Sequence, residues 1–310
     1  MDKLLPFERS IADLEARLAG AEDAAERERL AKDLEAEREA VFSNLTPWQR
    51  VQLARHPLRP RMRTYVEKIF EDFEEVAGDR VSGDDPAMVG GIARFRGKTI
   101  MVVGQEKGRT TEEKVHRNFG MAHPWGYRKA LRLFQTAERL RLPVVTFVDT
   151  PAAHPGIEAE AGGQGPAIAT NLLAMAGLRT PLFAAVIGEG GSGGALGIAM
   201  GDYISMFEHA IYVICPPERC AEILWRDAEK KDLAAAALRI TAAELAALGI
   251  IDAVLPEPSG GAHRDADGAA TVLADAIGEF LERSAGGEWE LSHRQERFAR
   301  IGQWIEELVD

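Results

Sequence analysis

A layered α/β domain with helical appendages at both ends is predicted by three features of the sequence. Two continuous apolar runs, Val144–Val148 and Leu182–Ile187, each follow a helical pattern and precede a glycine-rich segment, as buried parallel strands do. Upstream, MVGGIARF and KTIMVVG flank Arg96-Gly97-Lys98, a hairpin pattern. At the two ends, apolar residues recur at helical spacing among Ala, Glu and Arg.

Taken in order, residues 7–42 are expected to be helical, with Ile11, Leu14 and Leu18 on one stripe and Leu30, Leu34 and Val41 on another. Gly20 falls where the phase breaks, so two antiparallel helices are expected, packed on the main domain or on a partner. The hairpin near residue 88 leads to a helix over Trp125–Arg141, ended by Pro143. A second round follows: helix 164–176, the Leu182 strand, and a short helix from Gly194. Strands near 203–207, 211–214 and 250–255 alternate with helices near 217–225 and 241–248. In the tail two more helices are expected, the last with an apolar docking face of Trp289, Phe298, Ile301, Trp304 and Leu308. The resulting divisions are a helical extension over 1–58, a central domain over 59–265 and a helical tail over 266–310.

Composition narrows the function classes. Apolar residues make up 46% and charged residues 28%, ordinary values for a globular protein. No apolar run approaches the ~20 residues that span a bilayer, and MDKLLPFERS does not read as a secretion signal, so a cytoplasmic protein is expected. Cys215 and Cys220 are too few for a disulfide framework and wrongly spaced for a zinc ribbon, so no metal is expected on this chain. A net charge of −12 argues against general nucleic-acid binding. Between Arg94 and Arg132, however, ten basic residues face three acidic ones, and Arg50, Arg55, Arg59, Arg61 and Arg63 form a second basic run. Such regions suit an anionic ligand, an acidic partner or a solvated face.

The densest chemical signal is GEGGSGGALG, from Gly188 to Gly197, between a strand and a helix. Gly188, Gly190 and Gly193 fit the dinucleotide fingerprint with Glu208 downstream, although the helix is short for a βαβ crossover. Gly190, Ser192 and Gly194 fit a nucleophile elbow, with Asp252 and His263 in hydrolase order. An oxyanion hole made by the main-chain amides of Gly193 and Gly194 fits equally, and so does a turn that is glycine-rich for tight packing. Local pattern leaves these open.

The rest of the chain bears on the choice. GGIARFRGKTIMVVG, KVHRNFGM, GYRKALRLFQTAERLRLPVVTFVDTP, VIGEGGSGGALGIAMGD and IIDAVLPEPSGGAHR follow one another in this order. Together they closely resemble the carboxyltransferase alpha subunits of multi-subunit bacterial acetyl-CoA carboxylases, from roughly residue 45 to 265 and more loosely through the N-terminal helices. The resemblance implies a crotonase-like fold, a spiral of ββα units. It implies a heterotetramer of two alpha and two beta chains, with zinc on the beta subunit only. The activity implied is transfer of a carboxyl group from carboxybiotin, carried by a biotin carboxyl carrier protein, to acetyl-CoA. The product is malonyl-CoA, the committed precursor of fatty acids. The resemblance further implies that biotin is not attached to this chain and that ATP is used by a biotin carboxylase partner.

On the matching positions, Gly193 and Gly194 are the implied oxyanion hole. Gly190, Gly191, Ser192, Ala152, Ala153, Gly156, Lys107 and Arg109 are the expected substrate-binding surroundings, with Arg117, Arg128 and Lys129 as further cationic candidates. The chain departs from the family pattern at Ala152 (usually Gly), His154 (usually Tyr), Gly162 (usually Arg), Arg219 (usually Gly) and Gln105 (usually His). These positions bear on acyl-CoA preference and turnover. A subunit for another acyl-CoA and a serine hydrolase using Ser192 are the alternatives.

Overall fold

The computed structural model describes residues 4–302. Helices α1 (Arg9–Gly20) and α2 (Ala24–Ser43) break at Gly20, where the stripe changes phase. Asp23 caps α2 by accepting the Glu26 amide at 2.9 Å. Arg38 reaches back to Glu15 at 2.8 Å, so the two helices run antiparallel. Ile11, Leu34 and Phe42 pack with Leu45 and Leu53 of the main body. Glu8 fastens this arm, since its Oε1 meets His263 Nε2 at 2.9 Å and Arg264 Nη2 at 3.0 Å.

Two short helices, α3 (Pro47–Ala54) and α4 (Met62–Ile69), precede β1 (Glu71–Glu75), β2 (Met88–Phe95) and β3 (Lys98–Gln105). β1, β2 and β3 are antiparallel. Arg96 and Gly97 have φ of 46° and 78°, the left-handed pair that a two-residue hairpin turn needs. The chain then runs α5 (Thr111–His116), α6 (Pro124–Leu140), β4 (Val144–Thr150), α7 (Ile157–Ala161), α8 (Gln164–Gly177) and β5 (Leu182–Gly191). It continues through α9 (Ser192–Ala199), β6 (Tyr203–Phe207), β7 (Ile211–Val213), α10 (Pro217–Trp225), α11 (Lys231–Ala237), α12 (Ala242–Ala247) and β8 (Ala253–Leu255). Helices α13 (Ala266–Arg283) and α14 (Leu291–Arg300) close it.

The sheet order is β1-β2-β3-β4-β5-β6-β8, parallel from β3 onward. β5 changes neighbour along its length. Its first half pairs with β6, whereas Glu189–Gly191 pair with β7. β4 and β5 are buried at every residue, which is why their sequences show no polar alternation. Tyr65 stacks on Phe147 and Phe207 of the sheet, and Phe70 meets Phe147 edge-on.

The tail docks differently from the sequence expectation. Phe298 packs against the core, but Ile301 stays 48% exposed, and Trp304 and Leu308 lie outside the described residues. The anchor is Arg294, which is fully buried. Its guanidinium donates to Asp202 and to the carbonyls of Met175 (2.6 Å), Leu178 (3.0 Å) and Thr180 (2.9 Å).

Candidate active site

The glycine segment divides differently from the sequence reading. Gly188–Gly191 continue the strand, and α9 begins at Ser192, two residues before Gly194. Glycine is demanded by close approach. A Cβ on Gly191 would strike the Pro151 carbonyl, and one on Gly188 the Asp149 carboxylate. At Gly197 it would lie 2.6 Å from the Tyr127 ring. Ser192 carries φ of 53°, a left-handed residue leading straight into helix, a conformation costing about 1–2 kcal/mol outside glycine.

This turn leaves main-chain donors unspent. A helix start has no carbonyl four residues back for its first amides, and α9 has no side-chain cap. Among the described residues, no acceptor is bonded to the N–H of Gly193 or Gly194. Gly193 is half-buried and Gly194 buried. A left-handed residue followed by helical ones lets successive N–H groups converge on one point, where an anion is favoured.

The turn is held from behind. The Ala152–Ala153 backbone lies so close to Gly194 that a Cβ there would collide with it. Thr150 Oγ1 donates to the Ala152 carbonyl at 2.6 Å and fixes that loop. The Gly194 carbonyl accepts Gln105 Nε2 at 2.9 Å and the Tyr127 hydroxyl at 3.2 Å. Burial, then the Asp85 charge, push the Tyr127 phenol well up, so it stays a donor. Gln164 Nε2 holds the carbonyls of Ala122 (2.9 Å) and His154 (3.0 Å). Gly156 sits at the outer end of the same loop, beside His154 and Glu158.

Beneath the turn lies an ion network that sequence reasoning missed. Lys107 Nζ is 2.7 Å from both Asp149 Oδ1 and Glu189 Oε1. Arg55 Nε binds Glu189 Oε2 at 2.7 Å, and Arg61 lies 3.6 Å from Asp149. Burial alone would raise the Glu189 carboxyl, but Lys107 and Arg55 overcome it and hold it at about 2. The one available signal was an acidic side chain inside a run of glycines, which must find a cation if it is buried.

The expected cations spread apart accordingly. Lys107 is 7% exposed and committed to two carboxylates. Arg109 is exposed, on Thr64 at 3.0 Å and Glu67 at 3.2 Å. Arg117 donates to the Pro86 carbonyl at 2.6 Å. Arg128 binds Asp79 at 3.0 Å, and the buried Lys129 binds Asp84 at 2.5 Å, together clamping the 79–85 loop.

The rival motifs do not assemble. Asp252 accepts the Ile204 amide at 2.7 Å and pairs with Arg297, while His263 is taken by Glu8. No hydrogen bond joins either to Ser192 among the described residues. Glu208 accepts the Glu257 amide at 2.6 Å, and α9 is only 8 residues long, short for a dinucleotide crossover.

With this geometry in view, comparison with known proteins is specific. Among solved structures the chain is similar to transcarboxylase 12S (TM-score 0.57, 21% identity, 71% of this chain and 41% of that one). It is also similar to the beta subunit of P. aeruginosa geranyl-CoA carboxylase (TM-score 0.59, 16% identity, 79% and 45%). A third is a Pseudomonas malonate decarboxylase hetero-tetramer (TM-score 0.56, 22% identity, 70% and 89%). The chain thus spans about two-fifths of the transcarboxylase chain. The fold these share is crotonase-like, and a family-model match over residues 4–302 makes this a carboxyltransferase-class chain.

Residues 4–302 match the family model for acetyl co-enzyme A carboxylase carboxyltransferase-like proteins. The acetyl-coenzyme A carboxylase carboxyl transferase subunit alpha of Cyanothece sp. is 49% identical over 312 residues, covering 96% of this chain and 95% of that protein. Its counterpart from Saccharophagus degradans is 50% identical over 288 residues, covering 90% and 91%. The chain belongs to the family of acetyl-CoA carboxylase carboxyltransferase alpha subunits. It is a carboxyltransferase subunit of a multi-subunit enzyme that includes a beta subunit. Among the described residues no helix is long and apolar enough to cross a membrane.

Proposed function

We propose that this chain supplies the carboxyl-donor half of a two-chain active site, in which the amides of Gly193 and Gly194 cradle the ureido oxygen of biotin. The observation that carries this reading is the pair of unpartnered N–H groups at the start of α9, on a turn braced by Gln105, Tyr127 and the Ala152–Ala153 backbone. In the reaction, the N–carboxyl bond of carboxybiotin breaks to give CO2 and a ureido anion with its charge on oxygen. That anion takes a proton from the acetyl methyl of acetyl-CoA. The enolate so formed attacks CO2, giving malonyl-CoA and neutral biotin. Two preorganised N–H donors stabilise the ureido oxygen as its charge develops, each worth about 3 kcal/mol of barrier.

Gly190, Gly191 and Ser192 set the floor of this cradle, and Ala152 and Ala153 its back wall, with Gly156 at the outer end of the same loop. Lys107 acts from below as the counter-ion that fixes Asp149 and Glu189 under the turn, while Arg109 lies at the outer rim. The beta subunit holds the CoA thioester in a second oxyanion hole and carries the zinc, in a cytoplasmic heterotetramer of two alpha and two beta chains. The biotin arrives on a carrier protein, charged by an ATP-dependent biotin carboxylase. Ala152 adds a methyl group to the wall and thereby bears on the fit of the ring.

The test is to purify the chain with its beta subunit and measure malonyl-CoA formed from acetyl-CoA and carboxybiotin. Gly194→Val should abolish transfer while the two chains still co-purify. Full activity in that variant would refute the assignment.

A further inference from the structure

One cluster outside the glycine turn has the donors and spacing of a metal centre. His123, His154 and Glu158 each offer one donor atom, and these atoms all lie within 4.8 Å of one another. His154 Nε2 and Glu158 Oε1 are 2.9 Å apart, and the two imidazole rings are 4.3 Å apart between centroids.

Both imidazoles are positioned by groups other than each other. His123 is the N-cap of α6, its main-chain N–H donates to Asp85 Oδ2 at 2.7 Å, and its ring Nδ1 lies 3.7 Å from the same oxygen, a carboxylate within reach of the ring as outer support. Trp125 stacks on the same ring at 4.5 Å and 13°. The His154 main chain is pinned at both ends, its N–H on the Ala122 carbonyl at 3.0 Å and its carbonyl on Gln164 at 3.0 Å. Gly156 keeps the space open, since a Cβ there would strike His154 Nε2 and lie 2.9 Å from both Glu158 oxygens.

We propose that His123, His154 and Glu158 form a binding site for a divalent transition-metal ion of the zinc class, with water completing the shell. Two imidazoles and one carboxylate suit zinc, nickel or copper and not the all-oxygen shells of magnesium or calcium. With metal–ligand bonds of about 2.0–2.2 Å, tetrahedral neighbours stand roughly 3.4 Å apart. The close pair opens slightly, and Glu158, whose side chain is 63% exposed, has room to adjust to the ion. The ion takes the lone pair of His154 Nε2, and the proton that nitrogen shares with Glu158 moves to Nδ1. Asn118, 2.8 Å from Nδ1, then turns its amide oxygen to accept that proton. The other His–His–Glu group, Glu8 with His56 and His263, is a poorer host, because the Arg264 guanidinium already sits 3.0 Å from Glu8.

His154 directly follows Ala153, whose backbone abuts Gly194. An ion at His154 therefore bears on the loop behind the oxyanion turn, although its binding is independent of what that turn does.

The experiment uses the untagged full-length chain, freed of metal by chelation and dialysed. Zinc chloride is titrated by calorimetry, and nickel chloride by tryptophan fluorescence. One zinc per chain should bind with micromolar affinity, and nickel should quench emission through Trp125. Trp125→Phe should remove most of the quench and keep the calorimetric signal. His123→Ala and His154→Tyr, shown folded by circular dichroism, should each weaken zinc by at least roughly tenfold, and Asn118→Asp should tighten it. His293→Ala, on the exposed face of α14, should bind as wild type. Absence of zinc binding at millimolar concentration would overturn the proposal. So would wild-type affinity in His154→Tyr, or loss of binding in His263→Gln with His154→Tyr unaffected.

Discussion

Gln105 ties the glycine turn to the neighbouring strand: its Nε2 donates to the Gly194 carbonyl at 2.9 Å while its Oε1 accepts the Asp149 amide at 3.1 Å. Gln105→Ala would leave the buried Asp149 amide without this acceptor, at about 1–3 kcal/mol, and the Gly194 carbonyl with the Tyr127 hydroxyl alone. It should lower both melting temperature and kcat. Gln105→His can both donate and accept across the same gap and should keep transfer within a few-fold of wild type. Equal loss in the two variants, measured as malonyl-CoA formation, would show that the bridge is not what matters.

Gly193 and Gly194 separate donor from side chain. A Cβ on Gly194 collides with the Ala152–Ala153 backbone, whereas on Gly193 the nearest atom is Ile168 Cδ1 at 3.7 Å. Gly194→Ala should therefore cost at least about 3 kcal/mol of barrier, while Gly193→Ala, which keeps its N–H, should lose far less. Steady-state kinetics of the two alanine variants decide it.

Ser192 has a strained φ of 53°, and among the described residues neither His263 nor Asp252 is hydrogen-bonded to it. Ser192→Ala should retain transferase activity, and the wild-type chain should resist a fluorophosphonate probe. Labelling that disappears in Ser192→Ala would revive the hydrolase reading. Ser192→Gly should raise the melting temperature by relieving a conformation worth about 1–2 kcal/mol.

Glu189 makes stability depend on acid. Its carboxyl is held at about 2 in the fold against 4.5 for an unperturbed group. A lowered folded value stabilises above the unfolded one, and that contribution fades as pH falls from 4.5 toward about 2. Glu189→Gln leaves Lys107 only Asp149 and Arg55 only Glu218 as carboxylate partners and should cost about 1–3 kcal/mol near neutrality. The gap between wild type and variant should shrink on acidification, as thermal unfolding at about pH 6 and about pH 3 would record.

Arg294 carries the tail. Arg294→Ala leaves Asp202 and three buried carbonyls without their donor, so a loss of about 3–5 kcal/mol is expected, read by chemical denaturation. A loss below 1 kcal/mol, the range of exposed pairs, would mean that the tail docks by other contacts.

Local pattern made much of the architecture legible. The break at Gly20, the Arg96-Gly97 hairpin and the strands of β4 and β5 each depend on nearby residues. What it obscured came from long-range partners. Gly188–Gly191 read as a loop because glycines mark turns, yet they serve a strand end crowded by Asp149, Pro151 and Tyr212. The basic region from Arg94 to Arg132 read as an anion site or solvated face, yet Lys107, Arg117, Arg128, Lys129 and Arg132 bind the chain's own carboxylates and carbonyls. The apolar stripe of the tail concealed that Arg294 makes the anchor. Of the candidate site, the sequence singled out the glycine pair and the Ala152–Ala153 loop packed on it, but not the Glu189 network or the Gln105 and Tyr127 braces.

The clasp of Glu8 on His263 and Arg264 joins positions 255 residues apart. At ribosomal rates of about 5–20 residues per second, that partner emerges roughly 13–50 s after the arm does. Until then the arm has its local packing, Ile11 and Leu34 against Phe42, Leu45 and Leu53, but not this clasp. The newborn chain thus carries an arm without its far anchor for most of its synthesis.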